Sequence, residues 1–183
     1  MSESIETNLI FKLALLGDSA VGKTSLIDQY IHHKFDHDYH PSLGVNIVIK
    51  EMYVKEKNTR VKMILWDIAG QEKYDLSRKA FFQGCAGALF VYDVTRAATF
   101  KNVESKWLKD LKAFGNKNSA YLLIGNKSDL KDQKGVTTED GQKLAERMKA
   151  GGFIETSAQS GENVEQAFKT LVHNVIESRN KLS

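Results

Sequence analysis

Gly17-Asp18-Ser19-Ala20-Val21-Gly22-Lys23-Thr24 follows the apolar run Phe11 to Leu16 and opens a segment with helical spacing. It matches G-x-x-x-x-G-K-[ST], in the strand, loop and helix order that holding a phosphate requires. Gly17 and Gly22 permit backbone turns that other residues resist, so successive N–H groups can point at an anion beside the positive end of a helix dipole. Asp18, Ser19, Ala20, Val21, Gly22, Lys23, Thr24 and the following Ser25 are therefore candidate ligand-binding positions. Lys23 is expected to reach the β- and γ-phosphates of a nucleotide, and the Thr24 hydroxyl to bind Mg²⁺.

Outward from this loop, apolar runs suited to buried strands recur at Gly87 to Tyr92, Tyr121 to Ile124 and Phe153 to Ile154. Segments of helical spacing separate them, which predicts an α/β fold around a parallel sheet. Val45 to Val54 and Arg60 to Trp66 read as strands joined only by Lys55 to Thr59, too short for a crossover helix, so they form an antiparallel hairpin. The final helix is marked by Val164, Ala167, Phe168, Leu171, Val172 and Val175 on one 3.6-residue face. Thr137 and Asp140 have capping-box spacing at the start of another, and Val103, Trp107, Leu108 and Leu111 mark a third apolar face. One proline, Pro41, and the absence of repeats or a low-complexity linker predict a single domain over residues 1–183, its core at about 9–180.

Composition narrows the functional classes. The 183 residues are 42% hydrophobic and 27% charged, enough apolar material for one packed core. No apolar run reaches the roughly 18 residues of a membrane span, and Met1 to Ile10 is unlike a signal peptide, so a cytoplasmic protein is expected. The net charge of +3 is spread along the chain, with no basic block to mark a nucleic-acid partner. The single cysteine, Cys85, sits in an apolar stretch and is expected to be buried packing.

Two further motifs complete the chemistry. Trp66-Asp67-Ile68-Ala69-Gly70-Gln71-Glu72 puts the Asp67 carboxylate at a strand end facing the phosphate loop, as a Mg²⁺ partner. Gly70 leaves its N–H open to a γ-phosphate, and the Gln71 amide, which both donates and accepts, suits a water positioned for attack. The phosphate loop alone fits ATP-dependent enzymes equally well. Asn126-Lys127-Ser128-Asp129 discriminates, because it emerges from the carboxyl end of the strand Tyr121 to Ile124, where open α/β sheets bind ligands. A carboxylate accepts from two adjacent donors, and guanine presents an N1–H beside a 2-amino group where adenine has no such pair. Asp129 should select guanine.

With these motifs in this order, the chain resembles the Ras superfamily of small GTPases from about Leu9 to about Asn180. It looks most like the Rab branch, through Trp66-Asp67 to Gln71-Glu72, Leu43-Gly44-Val45-Asn46 and Val91-Tyr92-Asp93-Val94-Thr95. The resemblance implies the G-domain form of the P-loop NTPase fold: a six-stranded, mostly parallel sheet with one antiparallel strand, flanked by about five helices. It implies that Glu155-Thr156-Ser157-Ala158 is the last base-contacting loop, Ser157, Ala158 and Gln159 lying against guanine with the Ala158 N–H on its O6. It also implies that Asn126 belongs to the base site, that Lys127 covers the base and that Phe35 stacks on it. Phe35 to Ser42 and Gly70 to about Phe82 become switches I and II, Ser42 joining Thr24 and Asp67 as a metal ligand. Gln71 and Lys23 are then the catalytic residues of slow GTP hydrolysis to GDP and phosphate, in a monomer cycling between states read by effectors. A role in vesicle or membrane trafficking, an exchange factor and a GTPase-activating protein follow by the same resemblance.

Departures from the pattern are few. Ser42 stands where threonine is usual, keeping the hydroxyl and losing a methyl, which predicts a looser GTP state. Gln159 replaces a common lysine, Ile68 a common threonine, and Ile47 an aromatic, leaving Trp66 and Phe81 as the aromatic part of a partner surface. The chain ends without a terminal cysteine for prenylation, and Ser2 stands where myristoylation requires a glycine, so a direct lipid anchor is unsupported. Membrane association is expected only through partners or a tail beyond Ser183. Two other readings stay open at this point: a nucleotide-holding scaffold that does not hydrolyse, and an ATP-dependent phosphotransferase, which would give Asp129 no role. His32, His33, His37 and His40 gather beside switch I and read as solvated surface residues rather than a metal site.

Overall fold

Alternation of side chains along Phe11 to Leu16 sends Phe11, Leu13 and Leu15 into one apolar layer and Ala14 and Leu16 into another. The same division runs through the neighbouring strands, Leu89 and Val91 facing one layer and Ala88, Phe90 and Tyr92 the other. A strand buried on both faces must read as a continuous apolar run, which is why these segments show no polar alternation. The computed structural model describes residues 7–33, 44–68 and 78–181. Its strands are β1 (Thr7–Leu16), β2 (Val45–Val54), β3 (Thr59–Ile68), β4 (Cys85–Asp93), β5 (Ala120–Asn126) and β6 (Phe153–Thr156). They form one sheet in the order β2-β3-β1-β4-β5-β6.

Only the β2–β3 pair is antiparallel, in unbroken register from Val54 opposite Thr59 to Val45 opposite Ile68. The turn between them is a short 3₁₀ segment, Lys55–Lys57, closed by Asn58 in the left-handed region. Asn is a residue that tolerates that conformation. β1 begins at Thr7, earlier than its apolar run, because Thr7 to Ile10 pair in parallel with Thr59 to Lys62. Main-chain pairing needs no apolar side chain, and Ile10 is left exposed.

One layer of helices holds α1 (Lys23–His32) and α6 (Val164–Asn180). Tyr30 of α1 stacks on Phe168 of α6 with ring centroids 4.0 Å apart. The other layer holds α2 (Arg78–Phe82), α3 (Ala97–Asn102), α4 (Lys109–Phe114) and α5 (Thr138–Met148). A π-helical turn, Val103–Leu108, joins α3 to α4 with helical backbone on both sides, so the three run on as a single helix. Val103, Trp107, Leu108 and Leu111 are all buried, but through a widened turn that apolar spacing did not reveal. Cys85 is fully buried, and burial pushes its thiol up to about 11, consistent with packing.

The predicted capping box closes at α5, where Thr137 accepts from the Asp140 N–H and the Asp140 carboxylate accepts from the Thr137 N–H. Thr137→Ala is expected to lower stability by about 1 kcal/mol in urea denaturation, with nucleotide affinity unchanged.

Candidate functional site

The loop between β1 and α1 lies where the sheet order reverses, β1 having β3 on one side and β4 on the other. Crevices at such a switch point, at the carboxyl ends of strands, are where open α/β sheets take ligands. Three residues of the loop have positive φ: Gly17 at 152°, Ala20 at 60° and Gly22 at 100°. A Cβ on Gly17 would stand 2.1 Å from the Val91 carbonyl oxygen, and one on Gly22 would stand 2.2 Å from the Asn126 amide nitrogen. Glycine is required at both positions by contact as well as by backbone angle.

Lys23 is buried at the first position of α1, and its Nζ donates to the Gly17 and Asp18 carbonyl oxygens, each at 2.8 Å. Burial lowers its pKa to about 8 against the attraction of Asp67 and Asp18, with Arg96 adding repulsion. A desolvated ammonium served mainly by carbonyls is strongly attractive to an anion arriving in the loop. Thr24 Oγ1 donates to Asp67 Oδ2 at 2.5 Å, bringing a hydroxyl and a buried carboxylate together beside the loop mouth. Ser25 follows in the first turn of α1, and Ser19 offers its carbonyl to Arg96 Nη2 at 3.0 Å. The Asp18 carboxylate turns away from the crevice, accepting from Asn102 Nδ2 at 2.7 Å and Trp107 Nε1 at 2.8 Å. What Asp18 can give a ligand in the loop is its backbone N–H.

The second half of the site is built from the ends of β5 and β6. Asn126 is almost wholly buried, and its amide joins three segments. Its Nδ2 donates to the Val21 carbonyl at 2.9 Å, and its Oδ1 accepts from Thr156 Oγ1 at 3.1 Å and the Ala158 N–H at 3.2 Å. Asp129 is exposed, and Ser157 Oγ holds it by donating to Oδ1 at 2.6 Å. Ser157 in turn accepts from the Ser160 N–H at 3.0 Å, while Gln159 stands exposed between them. Lys127 has φ 70°, and its Nζ lies 2.7 Å from Asp93 Oδ2.

Four residues with no predicted role hold this arrangement together: Asp93, Arg96, Asn102 and Trp107. Asp93 ends β4, and its carboxylate accepts from Thr95 N–H at 2.9 Å, Thr95 Oγ1 at 2.7 Å and Arg96 Nε at 3.0 Å besides pairing with Lys127. Burial raises its pKa, but the Lys127 and Thr95 donors outweigh burial and hold it below the usual carboxylate range. A carboxylate closing an apolar strand was the available signal; its partners could not be read along the chain. Phe35, Ser42, Gly70 and Gln71 lie outside the described residues, as do His37 and His40. Among the described residues no group of three His, Cys, Asp or Glu side chains could hold a metal ion.

Because the folded pKa of Asp93 is lowered, its contribution to stability is present above the unfolded value and is lost as pH falls through the folded one. Asp93→Asn is expected to cost about 2 kcal/mol at pH 7 and to flatten the acid-side fall in stability, read from urea midpoints between about pH 5 and pH 3.

The Ras family profile matches residues 12–177. The chain is 39% identical over 176 residues to the Ras-related protein RABA4b of Arabidopsis thaliana, covering 96% of this chain and 77% of that relative. It is 42% identical to the Ras-related protein Rab11D of Lotus japonicus, over 95% of this chain and 79% of that one. The Ras-related protein YPTC6 of Chlamydomonas reinhardtii is 41% identical, over 89% of this chain and 74% of its own length. The mixed six-stranded sheet, with its glycine loop at the switch point and its base-side loop at the far strand ends, is the expected fold for such a sequence. The chain belongs to the Ras family: it is a Rab-like small GTPase, which binds GTP and GDP and hydrolyses GTP.

Proposed function

We propose that this GTPase is a molecular switch in membrane trafficking, with the nucleotide held between the β1–α1 loop and the loops after β5 and β6. The observation that carries the reading is the Asn126 amide, which ties the Val21 carbonyl of the phosphate loop to the Ala158 N–H of the base loop. One side chain thus sets the distance between a phosphate pocket and a base pocket. Lys23 reaches the β- and γ-phosphates from its place beside the Gly17 and Asp18 carbonyls, and the loop N–H groups of Asp18 to Thr24 with that of Ser25 surround them. Asp129 accepts from guanine N1–H and the 2-amino group, while Ala158 and its neighbours Ser157 and Gln159 close the O6 side and Lys127 covers the base.

The Thr24 and Asp67 oxygens, 2.5 Å apart, suit a hard divalent cation such as Mg²⁺, with Ser42 as a third protein ligand. Such an ion, when bound, neutralises charge on the β- and γ-phosphates. Gln71 orients a water for in-line attack: the water oxygen bonds to the γ-phosphorus, the bond to the β–γ bridging oxygen breaks, the water's proton passes to an oxygen of the released phosphate, and GDP and phosphate leave. Lys23 offsets the charge gathered on the phosphate oxygens. Without an arginine supplied by a partner, turnover is on the order of 10⁻⁴ to 10⁻³ s⁻¹, the intrinsic scale of Ras itself.

The chain acts as a single G domain, one sheet serving the described residues from 7 to 181, and as a monomer in the cytoplasm. Exchange factor, GTPase-activating protein and effectors meet it at the switches. Ile47, exposed opposite Trp66 in the β2–β3 register, and Phe81, 6.4 Å from Trp66 between ring centroids, form the apolar part of that surface. No nucleic acid takes part. No helix among the described residues is long and apolar enough to cross a membrane.

Single-turnover hydrolysis of preloaded GTP with Mg²⁺ tests the reading: slow GDP formation that drops by more than about tenfold in Gln71→Leu is expected. GTP persisting equally in both proteins would instead indicate a nucleotide-dependent scaffold. Asp129→Asn is expected to weaken GDP binding by about 100-fold, since one acceptor oxygen becomes a donor facing the 2-amino group and the other loses its charge. The same variant should gain affinity for xanthosine diphosphate, whose 2-oxo group accepts from the new amide; competition binding reads both.

A further inference from the structure

The π turn between α3 and α4 has a consequence at the nucleotide site. In an α-helix, residues five apart diverge by roughly 140° around the axis. In a π turn the hydrogen bonds run from i to i+5, so residues five apart stack on one face. Asn102 stands at the entrance of the turn and Trp107 five residues later within it, and both side chains converge on the Asp18 carboxylate. Trp107 is 1% exposed and Asp18 half-buried, so the bond between them is partly screened from water. Bonds to an ionised acceptor in such surroundings are among the stronger ones.

We propose that Asn102 and Trp107 are positioning residues for the nucleotide site: through Asp18 they fix the phosphate loop from behind, and the π turn is what lets both reach it. The need arises when nucleotide binds. Without it, Lys23 braces the loop by donating to the Gly17 and Asp18 carbonyls. Once phosphates enter, the Lys23 ammonium is shared between them and those carbonyls, and the inner brace weakens. The Asp18 carboxylate, held on the outer side by two donors, and the Ser19 carbonyl, held by Arg96, then keep the loop N–H groups aimed at the ligand.

The inference rests on the guanine-nucleotide reading of the site, and the measurement is release of the fluorescent analogue mant-GDP from the Mg²⁺-loaded protein. Trp107→Phe keeps an aromatic ring and removes the donor; release about tenfold faster is expected for loss of one charge-assisted bond. Asn102→Ala should accelerate release in the same direction. In an Asp18→Ala background, either substitution should add less than about twofold, because the group they act through is gone. If Trp107→Phe does not fold, the Asn102 and Asp18 pair supplies the same cycle. Full multiplication of the effects in the double variants, or unchanged release in both single variants, overturns the inference while leaving the nucleotide reading intact. Failure of the native chain to retain mant-GDP overturns that reading and the inference with it.

Discussion

The Asn126 amide is the constraint on which the site depends. It is buried, and both of its polar atoms bond to other segments: the phosphate loop through Val21, β6 through Thr156 and the loop beyond through Ala158. The phosphate loop is far from the other two along the chain, so the amide converts the order of the strand ends into a fixed separation between two half-sites. A buried amide of this kind is stabilising only when every partner is in place, since any one left unpaired keeps its desolvation penalty. The glycine loop answers to the same atom. With Gly22 so close to Asn126 Nδ2 that a Cβ would overlap it, the amide fills the room a side chain would need.

Charge around the crevice follows a complementary division. Lys23 is buried with its ammonium against carbonyls, and burial lowers its pKa because two carbonyls replace water incompletely. Asp93 is the opposite case: also buried, but supplied with enough donors from Lys127, Thr95 and Arg96 to stay ionised. The donors around Asp93 tie the residues after β5 to the end of β4, while the under-served ammonium leaves the phosphate loop attractive to an anion.

The hairpin edge of the sheet is exposed where its centre is covered. β1, β4 and β5 are covered by helices on both faces, whereas β2 alternates between half-buried and exposed positions and leaves Ile47, Ile49 and Tyr53 in solvent. Lys12, whose Nζ lies 3.8 Å from the centroid of the Trp66 ring, also donates to the Ala80 and Gln83 carbonyls at the end of α2. A single cation therefore links β1, the aromatic part of this edge and α2.

By itself the sequence determined the phosphate loop, the strand alternation, the hairpin, the α5 capping box and the place of Asp129 just beyond β5. Each is a short-range pattern: glycine spacing, apolar periodicity, a cap three residues from its partner, a motif at a strand end. What only the tertiary structure decided are the long-range bonds. The Asn126 bridge, the reach of Lys127 to Asp93 and the turning of the Asp18 side chain toward α3 join residues separated by up to 105 positions. The π turn was hidden for a related reason. Val103, Trp107, Leu108 and Leu111 fit an apolar helical face at either pitch, and the Asp18 carboxylate that distinguishes the two pitches arrives from another part of the chain. Periodicity reports which face is buried; it takes the packed neighbour to say what that face must touch.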